Sequence, residues 1–280
     1  MITRIVLITL LATGLAACDG DSNESGAKRV VAGFYPLAFA AEQIRGVEVE
    51  VTNLTPAGAE PHDLELTPRE VEEILGADLV LYLGEGFQPG VEEAVESGDV
   101  PALDVLDGLD LREGDPHVWL DPTLFSQVVD RIAVELGDEG ATGARGVVTR
   151  LDELDQAYEA GLADCERRDL VTTHDAFGYL ADRYGLEVIP ITGLSPEAEP
   201  SPQDLEAVAR IVEERGVTTV FTETLLSPEL GETVAREAGA TTAVLNPLEG
   251  LTEDELARGE DYFSVMEANL GALRQGLGCR

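Results

Sequence analysis

The chain is short of the residues that bind polyanions. It has one lysine, Lys28, and in total 18 lysines and arginines against 55 aspartates and glutamates, a formal net charge of −37. A phosphate backbone is held by clustered Lys and Arg, so this balance excludes nucleic acid as a partner. The acids are spread along the chain rather than gathered in a tail, which reads as solubility and suits salty surroundings. Long apolar runs are missing too: the longest, IVLITLLATGL near the N-terminus, is too short to cross a bilayer. Cysteine is limited to Cys18, Cys165 and Cys279, with no Cys-x-x-Cys spacing to suggest a thiolate metal site. Histidine is equally rare, and each of the three is placed in a loop or at a strand end: His62 in GAEPHDLELTP, His117 in GDPHVWLDP and His174 in LVTTHDAFGYL.

What is present is a globular chain, 44% hydrophobic over 280 residues, enough for two modest cores. The N-terminus reads separately. Arg4, the apolar run and the small residues before Cys18 have the form of an export signal, and LAAC resembles the bacterial lipobox, in which the cysteine becomes the lipidated first residue. Residues 1–17 are thus expected to be a signal peptide, Cys18 the lipid anchor and 18–29 a flexible tether. The remaining even pair, Cys165 and Cys279, is most simply a disulfide in an oxidising, exported setting.

Strand and helix signals alternate, the pattern of an α/β protein with parallel sheets, and the pattern is written twice. Val31 falls opposite Val171, Phe34 opposite His174, Gly46 opposite Gly185, and LTPAGAEP opposite LSPEAEP. Helix punctuation agrees: Thr67-Pro68 with Glu70 forms a capping box closed by Gly76, and Ser201-Pro202 and Ser227-Pro228 open helices closed by Gly216 and Gly239. Between the halves, Val147, Leu151, Leu154, Tyr158 and Leu162 recur at helical spacing. The expectation is two similar lobes, 30–142 and 166–280, with parallel sheets flanked by helices and joined by one long helix over 143–165. Ligands bind outside the carboxyl ends of parallel strands, so the histidines can meet in the cleft between the lobes.

Three imidazoles without a neighbouring serine or cysteine nucleophile suit a transition metal better than covalent catalysis. The motifs EPHDLELTP, DPHVWLDP, THDAFGYLADRYGL and YFSVMEANLGALRQGLGC, in this order across nearly the whole mature chain, resemble the zinc/manganese substrate-binding lipoproteins of bacterial ABC importers. The resemblance implies a metal held in the cleft by four side chains, with His62, His117 and His174 as three of them. Zinc-type members commonly carry histidine at the third position and manganese-type members glutamate, so Zn2+ is expected, with Mn2+ as the alternative. Two features depart from the family. The histidine-rich loop of many zinc members is replaced by GEGFQPGVEEAVESGDVP, and the family's Asp-Pro reads Asn246-Pro247. The fourth position falls to Asn246, a water, or a nearby carboxylate such as Glu223 or Glu60. Asp63, Asp115 and Asp175 are candidate acceptors for the imidazole N–H groups. Trp119 and Phe177 read as core or cleft wall.

The implied function is a monomeric, lipid-anchored, extracytoplasmic receptor that passes metal to a membrane permease, periplasmic where the cell has an outer membrane. It is not an enzyme on this reading. The competing readings are a zinc hydrolase with Glu223 as general base, and a surface protein for cell adhesion.

Overall fold

Short β-branched runs and capped amphipathic stretches alternate, and they form the elements their patterns predict. The computed structural model describes residues 26–44, 48–196 and 200–280. The expected signal peptide and Cys18 lie outside the described residues, as do Gly46 and most of the tether. In chain order the first lobe holds β1 (Lys28–Ala32), α1 (Tyr35–Gln43), β2 (Val49–Asn53), α2 (Pro68–Leu75), β3 (Leu79–Tyr82), α3 (Pro89–Gly98) and β4 (Ala102–Asp104). Then come α4 (Pro122–Leu136), α5 (Asp138–Gly143) and the long α6 (Arg145–Leu162). The second lobe holds β5 (Asp169–Thr172), α7 (Gly178–Tyr184), β6 (Glu187–Pro190), α8 (Pro202–Arg215), β7 (Thr219–Thr222), α9 (Glu229–Ala238), β8 (Thr241–Val244), α10 (Glu253–Ala257) and α11 (Tyr262–Leu277).

Each lobe has a four-stranded parallel sheet, ordered β2-β1-β3-β4 and β6-β5-β7-β8. The two orders are the same once the second is renumbered, so the duplication legible in the sequence is a duplication of topology. Register agrees as well: Val31 pairs with Val80 in the first sheet and Val171 with Val220 in the second. All four side chains belong to the outer cores of their lobes, Val31 and Val80 with Ile74 and Val91, Val171 and Val220 with Val212 and Val234. The alternate strand residues, among them Val30, Leu81, Leu170 and Phe221, face a single core shared by both lobes.

The long helix α6 lies in that shared core. All five residues of its predicted stripe, Val147, Leu151, Leu154, Tyr158 and Leu162, are buried, each contributing about 1.5–3 kcal/mol of apolar transfer. The Tyr158 hydroxyl donates to the Met266 carbonyl of α11 at 2.7 Å. Cys165, just beyond α6, is bonded to Cys279, just beyond α11. In the loop-entropy account a closure of 114 residues stabilises by about 4–5 kcal/mol. The α2 and α8 capping boxes form on Thr67 with Glu70 and on Ser201 with Asp204, and Gly216 and Gly239 close their helices in the left-handed conformation. The α9 start differs slightly: Pro228 stands before the first helical residue, and Ser227 Oγ accepts the Glu229 N–H at 3.4 Å.

Candidate metal centre

Each histidine lies in the connection that follows a strand, His62 after β2, His117 after β4 and His174 directly after β5. After β2, Pro61 starts a single 3-10 turn, Pro61–Asp63, and Glu60 accepts the His62 N–H at 3.5 Å. The buried Gln88 steadies this turn, its Nε2 donating to the carbonyls of Gly33 and Pro61 and to Thr55 Oγ1. After β4 the chain reaches His117, at the start of the turn Val118–Leu120. Asp115 Oδ1 accepts both the His117 N–H at 3.0 Å and the ring Nδ1–H at 2.8 Å. Directly after β5, Glu223 holds His174 in the same way: Oε1 accepts the backbone N–H at 3.0 Å and Oε2 the ring Nδ1–H at 2.6 Å. A carboxylate on Nδ1 fixes the tautomer and leaves Nε2 to bind.

The three Nε2 atoms converge on a residue the sequence reading had not named. Glu249, in the loop after β8, places Oε1 3.2 Å from His62 Nε2, 3.1 Å from His117 Nε2 and 3.2 Å from His174 Nε2. The three Nε2 atoms and the Glu249 carboxylate oxygen, four candidate donors, all lie within 4.8 Å of one another. Donors about 2.0–2.1 Å from a tetrahedral zinc stand about 3.3 Å apart, so the carboxylate-to-imidazole spacing fits a small divalent cation. The chemistry of the donor set fits as well. His117, His174 and Glu249 are buried, and Glu249 Oε2 is a buried carboxylate oxygen with no hydrogen-bond partner. A cation satisfies such a group; without one it is costly to bury.

Electrostatics follow from this crowding. Burial opposes a charge on His174, but Glu249 and Glu223 outweigh it and push its pKa up to about 11. His117 is likewise raised, burial being overcome by Asp115 and Glu249. Burial works against the Glu249 charge, yet His174 and the other imidazoles hold its carboxyl well below the usual range. Glu60 moves the opposite way: burial, then the neighbouring Glu249 charge, push it up to about 9.

The structure gathers part of the expected residue set. His62, His117 and His174 come together, but the fourth side chain among them is Glu249 and not Asn246. The Asn246 amide is turned away, its Oδ1 accepting the Leu248 N–H at 2.7 Å and its Nδ2 donating to Glu255 at 3.3 Å. Glu223 stands behind His174 rather than beside the Nε2 atoms. Glu60 lies against Glu249 and caps the His62 turn. Of the three aspartates, Asp115 holds an imidazole; Asp63 is exposed at the end of the His62 turn, and the Asp175 N–H bonds the Gly193 carbonyl. The ring that Asp175 was expected to serve is held by Glu223. Trp119 and Phe177 are both buried in the shared core, and Trp119 Nε1 also donates to the Pro247 carbonyl at 2.7 Å, tying the His117 turn to the Glu249 loop. Leu248, with φ of 57°, turns that loop through the left-handed region, a strain of about 1–3 kcal/mol. The only sequence signal for Glu249 was an acid past the last strand, at the end of the sheet where the histidines already lay.

Comparison with known proteins follows this geometry. The family described as "Zinc-uptake complex component A periplasmic" matches residues 30–276. The high-affinity zinc uptake system protein ZnuA of Bacillus subtilis (strain 168) is 33% identical over 96% of this chain and 94% of its own length. The zinc-binding lipoprotein AdcA of Streptococcus pneumoniae is 34% identical over 97% of this chain, which spans 60% of that protein. The Zn(II)-bound ZnuA-like domain of AdcA superposes with a TM-score of 0.80 at 36% identity, covering 90% of this chain and 99% of the domain. The laminin binding protein Lmb of Streptococcus agalactiae, described as an adhesin with metal transporting activity, superposes with a TM-score of 0.82 at 29% identity, over 90% of this chain and 100% of that one. The family model spans nearly the whole described chain, and relatives about one-third identical cover it as fully, so the chain belongs to the family of periplasmic component A of zinc-uptake complexes.

Proposed function

We propose that the protein is an extracytoplasmic receptor that captures Zn2+ in the cleft between its lobes and delivers it to the permease of an ABC importer. The observation that carries this reading is the convergence of three Nε2 atoms on Glu249 Oε1 at 3.1–3.2 Å, with the ring nitrogens of His117 and His174 backed by carboxylates. His62, His117, His174 and Glu249 are the four ligands. Three imidazoles favour zinc over manganese, which prefers oxygen donors. Cys18 anchors the chain to the membrane, and no helix among the described residues is long and apolar enough to cross it.

The protein acts as a receptor and not as an enzyme. Hydrolysis at zinc needs an open coordination position and a free general base. Four protein donors complete the tetrahedron, and Glu223, the candidate base, is tied to His174. Adhesion is a second reading, favoured by the likeness to Lmb. Its test is binding to immobilised laminin by the wild type and by a variant lacking the three imidazoles.

Elemental mass spectrometry after purification without added metal, followed by competition titration, tests the main reading. One zinc per chain, bound at least tenfold more tightly than manganese, is expected, and loss of His117 or His174 should abolish tight binding. Equal affinity for the two metals would overturn the zinc assignment. Tight zinc binding without both His117 and His174 would overturn the site.

A further inference from the structure

The segment that delivers the fourth side chain reads Leu245-Asn246-Pro247-Leu248-Glu249, and a buried polar network grips it at Asn246. The Asn246 N–H donates to Asn269 Oδ1 at 2.9 Å, and its carbonyl accepts from Asn269 Nδ2 at 2.7 Å. Its side-chain Oδ1 accepts the Leu248 N–H, and its Nδ2 donates to Glu255 Oε1. Asn246, Asn269 and Glu255 are all buried, with relative exposures of 4%, 3% and 8%. Glu255 is itself fixed, since its Oε2 accepts the Thr252 N–H and hydroxyl at the start of α10.

An asparagine bonded to the amide two residues on makes an Asx turn, which reverses the chain locally. Here the turn closes over Pro247 and is followed directly by the left-handed Leu248. These two bends point the next side chain, Glu249, back at the three imidazoles. We propose that Asn246, clamped by Asn269 of α11 and Glu255 of α10, is the positioning residue that aims the Glu249 carboxylate at the metal. The inference rests on Glu249 being the fourth ligand. It also accounts for an amide at position 246: a carboxylate there would keep the Leu248 bond but turn an acceptor, in place of a donor, toward Glu255.

The test is a double-mutant cycle on zinc affinity, by chelator competition, with thermal unfolding of each metal-free variant measured alongside. Asn246→Ala is expected to weaken zinc binding about tenfold or more, the usual cost of losing a group that orients a ligand. In the Glu249→Gln background the same change should cost nothing further, because there is no carboxylate left to aim. An equal loss in both backgrounds would overturn the clamp, since Asn246 would then act on the fold as a whole. A wild-type affinity for Asn246→Ala, with Glu249→Gln still weakened, would overturn the clamp and leave Glu249 as a ligand. A wild-type affinity for Glu249→Gln would overturn the ligand reading and the clamp together. Should Asn246→Ala fail to fold, Asn269→Ala goes through the same cycle with the same expected outcomes. Asn246→Asp is expected to bind zinc no more tightly than wild type. A tenfold gain would make position 246 a ligand and refute the positioning role.

Discussion

With His174 as one of the proposed zinc ligands, a proton and the metal compete for it. Its pKa of about 11, reached because Glu249 and Glu223 outweigh burial, means that the metal-free protein carries a proton there at neutral pH. The sign of the stability effect follows from linkage. A folded pKa above the ordinary 6.5 gives stability that is complete below 6.5 and is lost as the pH climbs toward 11. Zinc behaves in the opposite sense, because each proton it displaces raises its affinity about tenfold per pH unit. The metal-free protein should therefore lose stability above neutrality while the thermal shift produced by zinc grows. Calorimetric titration at neutral pH in buffers of different ionisation enthalpy should register proton release. Zinc binding without it would contradict the charged His174–Glu249 pair.

Helix α6 shows how an element can matter to the fold without touching the site. Leu151 is 1% exposed in the core shared by the lobes, and the four site residues come from loops beyond β2, β4, β5 and β8. Leu151→Ala should therefore cost about 2–5 kcal/mol of stability through the cavity it leaves. Chemical denaturation should show this loss, and zinc affinity of the folded protein should be unchanged. A parallel fall in affinity would mean that α6 packing sets the spacing between the ligands. The termini of such elements were plain in the sequence because capping is local: Thr67, Ser201, Gly216 and Gly239 all act within a turn of their own positions.

For the whole molecule the dominant feature is the charge of −37. Like charges dispersed over one surface repel, which favours solubility but strains the compact state. Raising salt from roughly 0.01 M to roughly 1 M shortens the screening length from about 30 Å to about 3 Å. The unfolding temperature of the metal-free protein should rise over this range, and one independent of salt would show that surface repulsion contributes little.

Much of this protein was decided by sequence-local chemistry. Alternating strand residues such as Val30 and Val31, the α6 stripe from Val147 to Leu162, the helix caps and the repeated succession of strands and helices all depend on neighbours a few positions apart, so they could be read directly. The three histidines were legible because they are rare and stand beside prolines or at strand ends. The fourth member of the site was not. Whether Asn246 or Glu249 faces the imidazoles depends on which way the loop after β8 turns. That direction is set by Asn269, 23 residues away along the chain, by Glu255, and by the left-handed turn at Leu248. Likewise, that Glu223 rather than Asp175 takes the His174 ring N–H depends on β7 lying beside β5. Contacts across such separations exist only once the sheets have formed, and tertiary structure alone selected these carboxylates.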